Sequence, residues 1–200
     1  MEAALRVVRY LKGSPGSGVL FKKYCHLEIK AYTDADSAGS PVDRRSTSGY
    51  FTLVGGNLVT WKSKKQKVVA LSSAEAEFRG IARGLAEVLW LRKLLKEMGF
   101  RPTGTCELMC DNKEAISISE NPVQHDRTKY VEIDRHFIKE KLEKGVLNIP
   151  FVRSDEQLAD ILTKAVPAKE FKTILGKLSF GDPTTQLEGE CQKISQKIRD

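Results

Sequence analysis

The sequence predicts an α/β fold whose first half is antiparallel. Three observations carry this. Strand-like and helix-like stretches follow one another in the order strand, strand, strand, helix, strand, helix, helix, strand, helix. A Gly55-Gly56-Asn57 turn separates two β-patterned runs. A long amphipathic helix, from about Ser73 to Met98, then provides a face to cover a sheet.

Taken in order, residues 3–12 have helical spacing and stop at Gly13. The Gly, Ser and Pro residues of 13–18 make a turn or linker, which places the first helix in a separate or upstream unit. Strands are predicted at Glu28 to Thr33, Gly49 to Val54 and Leu58 to Trp61, the last two paired as a hairpin. In the long helix Phe78, Ile81, Leu85, Val88, Leu89 and Leu95 recur at intervals of three and four, which is a buried stripe. A strand over Thr105 to Cys110 leads into a short helix at 112–120, ended by Asn121-Pro122. A helix over 130–144 stops at Gly145, and Val146 to Val152 is a further strand. Ser154 with Gln157 three residues on reads as a capping box opening another helix. A last helical stretch lies near 168–178, and residues 181–200 are polar and loosely patterned.

Two hundred residues suffice for one domain with a sizeable core. Hydrophobic residues at 40% and charged residues at 30% fit a globular chain and exclude a disordered one. No apolar run approaches the roughly 20 residues that span a bilayer. The N-terminus is too polar for a signal peptide, so an intracellular protein with no membrane partner is expected. Lys plus Arg number 33 against 26 acids, a net charge of +7 that suits a polyanionic partner without specifying one. Cys106 and Cys110 fall on one face of a strand. His26, His125 and His136 do not complete a zinc-type pattern with the cysteines, which read as reduced thiols.

Four carboxylates carry the chemistry. Asp34 adjoins a strand end, whereas Asp36 suits the turn before Gly39. Glu75 fits the capping box Ser72-Ser73-Ala74-Glu75, so Glu77, on the shoulder of the apolar stripe, is the freer of the two. Asp111 ends a strand, with helix N-cap as its structural alternative. Strand ends side by side would bring Asp111 next to Asp34, a repulsion that a cation removes. Asp160 lies among the core-facing Leu158, Ile161 and Leu162, and on local pattern alone an ordinary solvated position is the better account of it.

In order along the chain stand Ala31-Tyr32-Thr33-Asp34-Ala35-Asp36, Asp43-Arg44-Arg45-Ser46-Thr47-Ser48-Gly49-Tyr50 and Trp61-Lys62-Ser63-Lys64-Lys65-Gln66-Lys67. Ala70-Leu71-Ser72-Ser73-Ala74-Glu75-Ala76-Glu77, Cys110-Asp111-Asn112, Asn121-Pro122-Val123, Arg127-Thr128-Lys129 and Gln157-Leu158-Ala159-Asp160-Ile161-Leu162-Thr163-Lys164 follow. This series resembles the ribonuclease H domain of copia-type retrotransposon polyproteins, over about residues 4 to 178. The resemblance divides the chain into the tail of a polymerase region (1–23), a ribonuclease H domain (24–166) and a C-terminal helix with a polar tail (167–200). It implies a ribonuclease H-like fold, a five-stranded mixed sheet with flanking helices. It implies metal-dependent cleavage of the RNA strand of an RNA–DNA hybrid, alongside the reverse transcriptase domain of the same polyprotein and inside virus-like particles. Asp34, Glu77, Asp111 and Asp160 then become the catalytic ligands of two Mg²⁺ ions, with Mn²⁺ as a substitute.

Lys62, Lys64, Lys65 and Lys67, with Arg44 and Arg45, form the charge run that could follow phosphates, and a solvated face is the alternative for each. The chain departs from the family at Ser37, Tyr130 and Glu132, where Trp, His and Asp are usual. The loop Val152-Arg153-Ser154-Asp155-Glu156 lacks the His of cellular and retroviral relatives. Two other readings stay open: a fold that binds hybrid without cutting it, and a host-reused interaction scaffold.

Overall fold

The computed structural model describes residues 1–100, 102, 104–120 and 129–181, with the side chains of 129–132 left out. The predicted stop at Asn121-Pro122, the segments Asn121-Pro122-Val123 and Arg127-Thr128, His125, Cys191 and the polar tail beyond residue 181 lie outside the described residues. So do the side chains of Tyr130 and Glu132.

Helix α1 (Glu2–Gly13) buries none of its side chains. Strands β2 (Ile29–Ala35), β3 (Thr47–Val54) and β4 (Asn57–Lys65) form an antiparallel meander. Gly55 and Gly56, both at positive φ, make the turn between β3 and β4. Helix α2 (Ser73–Glu97) crosses to β5 (Cys106–Met109), which lies parallel to β2, and β6 (Leu147–Asn148) adds a second parallel pair beyond it. The five-stranded mixed sheet has the order β4-β3-β2-β5-β6. Helices α3 (Lys113–Glu120) and α4 (Lys129–Glu143) join β5 to β6, and α5 (Ala168–Lys177) follows the sheet.

The predicted stripe on α2 is the main core. Phe78, Ile81, Leu85 and Val88 are fully buried against Ile29, Ala31 and Leu108 of the sheet and Ile138 of α4. Each such side chain contributes roughly 1.5–3 kcal/mol by leaving water. Gly80 permits the approach, because a Cβ there would stand 2.9 Å from the Thr33 hydroxyl. The opposite sheet face has its own cluster of Phe51, Leu58, Leu158, Ala159, Ile174 and Leu178. The sheet is thus covered on both sides.

Several elements differ from the sequence expectation. Strand β2 runs on to Ala35, so Asp34 sits inside it rather than after it. The strand expected over 146–152 pairs only at Leu147–Asn148, with an isolated bridge between Cys110 and Phe151, because Pro150 has no N–H to donate to a ladder. Ser154 does not open an α-helix: two 3₁₀ turns, Ser154–Glu156 and Leu158–Leu162, stand there instead. Gln157 is pulled inward between them, its amide donating to the Thr33 carbonyl at 3.0 Å and its Oε1 accepting from Ala159 N–H. The linker also has a partner that local patterning could not show. Gly18–Val19 (β1) pairs antiparallel with Phe180–Gly181 (β7). Among the described residues, no helix is long and apolar enough to cross a membrane.

Candidate metal centre

The site lies at the carboxyl ends of β2 and β5, where the sheet changes from antiparallel to parallel pairing. Ligand sites in open α/β sheets favour such strand ends. Asp34 is 2% exposed, and its Oδ2 accepts the Thr163 hydroxyl. Asp111 immediately follows the Cys110 bridge, and its Oδ2 accepts the Ser154 hydroxyl at 2.9 Å. Helix α3 is capped by the next residue, since Asn112 Oδ1 accepts from Ala115 N–H at 2.9 Å. That leaves Asp111 free of the capping task.

Glu75 and Glu77 separate as expected. Glu75 Oε2 accepts from Leu71 N–H at 2.7 Å, its own N–H donates to Ser72 Oγ at 3.1 Å, and Arg79 pairs with it at 2.6 Å. Glu77 is 5% exposed and its Oε2 has no hydrogen-bond partner. Burial, then the negative charge of Asp34, pushes its carboxyl up to about 9.

Asp160 is brought inward by the second 3₁₀ turn. It is 5% exposed, with Lys164 Nζ 3.0 Å from its Oδ1. Burial raises its carboxyl to about 6 against the opposing pull of Lys164. Gly49, opposite Asp34 in the β2–β3 register, lets this turn settle on the sheet. A Cβ there would lie 2.5 Å from Leu162 Cβ.

One carboxylate oxygen from each of Asp34, Asp111 and Asp160 lies within 4.8 Å of the others. A second group of the same tightness joins Glu77, Cys110 and Asp111. All four predicted acids therefore meet, with Asp111 common to both groups. Oxygen donors of this kind suit Mg²⁺. The donor set fits a cation, because buried like charges and an orphaned Glu77 oxygen are costly without one. Thr163, Ser154 and Lys164 were missed as members of the site. Only the i,i+4 spacing of Asp160 and Lys164 hinted at any of them.

The predicted basic residues divide. Lys62, Lys64 and Lys67 line a groove of about 330 Å³ between β4 and α2, together with Arg83, which the charge run did not include. Lys65 instead pairs with Asp43 at 3.2 Å and donates to Ser40 Oγ at 2.9 Å. Arg44, at φ 55°, and Arg45 stand on the exposed loop before β3, with Arg45 3.8 Å from Asp43.

The chain is 41% identical, over 178 residues, to the retrovirus-related Pol polyprotein from transposon RE1 of Arabidopsis thaliana. That match covers 89% of the chain and 12% of the relative. The corresponding polyprotein from transposon TNT 1-94 of Nicotiana tabacum is 36% identical over 171 residues, 86% of the chain and 13% of the relative. The chain thus spans only a small fraction of the curated relatives it matches. Among solved structures, the N-terminal ribonuclease H domain of rv2228c from Mycobacterium tuberculosis aligns with a TM-score of 0.50 at 14% identity. It covers 75% of this chain and 97% of that one, a likeness of fold. No family model matches the chain.

Proposed function

The chain belongs to the copia-type retrotransposon Pol family as a segment with the ribonuclease H-like fold, and from that premise we propose that it hydrolyses the RNA strand of RNA–DNA hybrids. The observation that carries this reading is the meeting of Asp34, Glu77, Asp111 and Asp160 at one end of the sheet. We assign these four as the ligands of Mg²⁺, with Asp111 shared. When bound, Mg²⁺ supplies Lewis-acid chemistry, acidifying water and neutralising charge on a phosphodiester.

The chain's own residues do the holding. Ser154 and Thr163 orient one oxygen each of Asp111 and Asp34, leaving the other oxygens for the cation. Gln157 ties the Asp160 turn to β2 through Thr33, so the distance between Asp34 and Asp160 is set by a buried hydrogen bond. Lys62, Lys64, Lys67 and Arg83 would track the hybrid's backbone, and selectivity for RNA would rest on duplex shape and the 2′-hydroxyl. In this reading residues 24–166 carry the nuclease site, and Ile174 and Leu178 beyond them complete the cover of one sheet face. It works intracellularly, beside the reverse transcriptase domain of the same polyprotein.

The test is cleavage of an end-labelled RNA–DNA hybrid with Mg²⁺, repeated with Asp111→Asn. Equal cleavage by both proteins would sink the assignment.

A further inference from the structure

We propose that Glu77, Cys110 and Asp111 form a second, overlapping site for a thiophilic divalent cation such as Zn²⁺ or Cd²⁺, and that an ion held there excludes Mg²⁺ from the nuclease centre. The exclusion rests on the reading of Glu77 and Asp111 as Mg²⁺ ligands; the site itself does not.

The geometry comes first. One donor atom from each of the three residues lies within 4.8 Å of the other two. A tetrahedral ion with bonds of 2.0–2.3 Å spaces its ligand atoms by roughly 3.3–3.8 Å. The three groups therefore need only a modest closure, and the fourth position is left for water. A sulfur donor changes which ion is favoured, because thiolate is soft and selects zinc-like metals over Mg²⁺. The three acids Asp34, Asp111 and Asp160 are all-oxygen and have the opposite preference.

Burial keeps two of these donors protonated until an ion arrives, pushing the Cys110 thiol strongly up and the Glu77 carboxyl up to about 9. Cys110 is fully buried at the end of the β5 path, and its Sγ accepts the Asn112 N–H at 3.4 Å, a contact that supports a sulfur bound to metal. Glu77, 95% buried, still has an oxygen with no partner. Buried carboxylate oxygens are seldom left so. Asp111 is only half-buried and gives the ion its way in. On binding, the Cys110 thiol and the Glu77 carboxyl each lose a proton to solvent as a sulfur–metal and an oxygen–metal bond form, with no change of oxidation state. Since Asp111 also belongs to the all-oxygen group, an ion held by Cys110 draws two carboxylates away from Mg²⁺.

The experiment is a CdCl₂ titration of the full chain carrying Cys25→Ser and Cys191→Ser, which removes the exposed Cys25 thiol and the thiol nearest the C-terminus. An ultraviolet thiolate-to-Cd²⁺ charge-transfer band should grow and saturate at one ion per chain. Adding Cys110→Ser should abolish it. Glu77→Gln and Asp111→Asn, which retain the thiol, should each raise the half-saturating Cd²⁺ by at least about tenfold. Excess Mg²⁺ should raise it too. A band that survives Cys110→Ser, or a half-saturation that ignores both carboxylate variants, overturns the site. Half-saturation that ignores Mg²⁺ overturns the exclusion. None of these readouts needs turnover, so a chain that binds Cd²⁺ this way but never cuts hybrid would sink the nuclease reading alone.

Discussion

Asp34 and Asp111 stand at the same level on neighbouring parallel strands, each two residues beyond the last paired positions, Tyr32 and Met109. Parallel register places two negative charges side by side, and Asp160 closes the group from the turn above. Such a cluster opposes its own folding in the absence of a cation.

The first expectation follows directly. Without divalent metal, Asp34→Asn should raise the melting temperature, because one charge of the cluster is removed while its shape is kept. With Mg²⁺ present the same variant should lose the wild-type's metal-induced stabilisation. Its cleavage should fall by at least about 10²-fold, or some 2.7 kcal/mol of barrier. Thermal melts with EDTA and with Mg²⁺ check this, and an EDTA melting point below wild type would contradict it.

Glu77 sets a pH dependence. Its folded carboxyl is raised from 4.5 to about 9, so the protonated form is the one the fold favours. The stability this confers is complete below pH 4.5 and is lost progressively as pH rises through about 9. Asp160, raised to about 6, adds a loss in the same direction at lower pH. Urea unfolding of metal-free protein should show a fall across this window, and Glu77→Gln should flatten its upper part.

Gly49→Ala tests the seat of the Asp160 turn. The new Cβ meets Leu162 Cβ at 2.5 Å, so the turn must lift. Overpacking of this kind costs about 1–3 kcal/mol. Cleavage should fall further than stability alone explains, as a higher Mg²⁺ requirement would report.

Lys164 is a tethered cation on Asp160. Lys164→Met removes a competitor for that carboxylate, and half-saturating Mg²⁺ should drop by about threefold, in line with the loss of a neighbouring opposite charge. A magnesium titration of hybrid cleavage, or of melting temperature, reads it.

For the basic groove, each of Lys62→Ala, Lys64→Ala and Lys67→Ala should reduce the slope of log affinity against log salt by roughly 0.7–0.9. Lys65→Ala should change it less, because that ammonium is already engaged by Asp43. Filter binding of hybrid across a salt series distinguishes them.

Much of this arrangement was legible in the residues. The α2 stripe, the β3–β4 hairpin and the division of labour between Glu75 and Glu77 depend on local spacing, which sequence displays. Asp160 was not legible from pattern. Its inward placement depends on Gln157 reaching Thr33 across 124 positions of chain, which no local window contains. Family resemblance supplied it instead. Cys110 has the sequence pattern of an ordinary thiol, since its closeness to Glu77 exists only after α2 packs on the sheet.

The short pairing of Gly18–Val19 with Phe180–Gly181, extended by Leu20 N–H to the Ser179 carbonyl at 2.9 Å, has a mechanical consequence. The stretch from Gly18 to Gly181 begins and ends at one point, like a loop drawn shut by a small clasp. Tension between residues 18 and 181 would load that clasp first, peeling a few hydrogen bonds before strain reached the sheet. The same adjacency makes the fold a natural candidate for circular permutation, with a short tether across the clasp and new ends in an exposed loop.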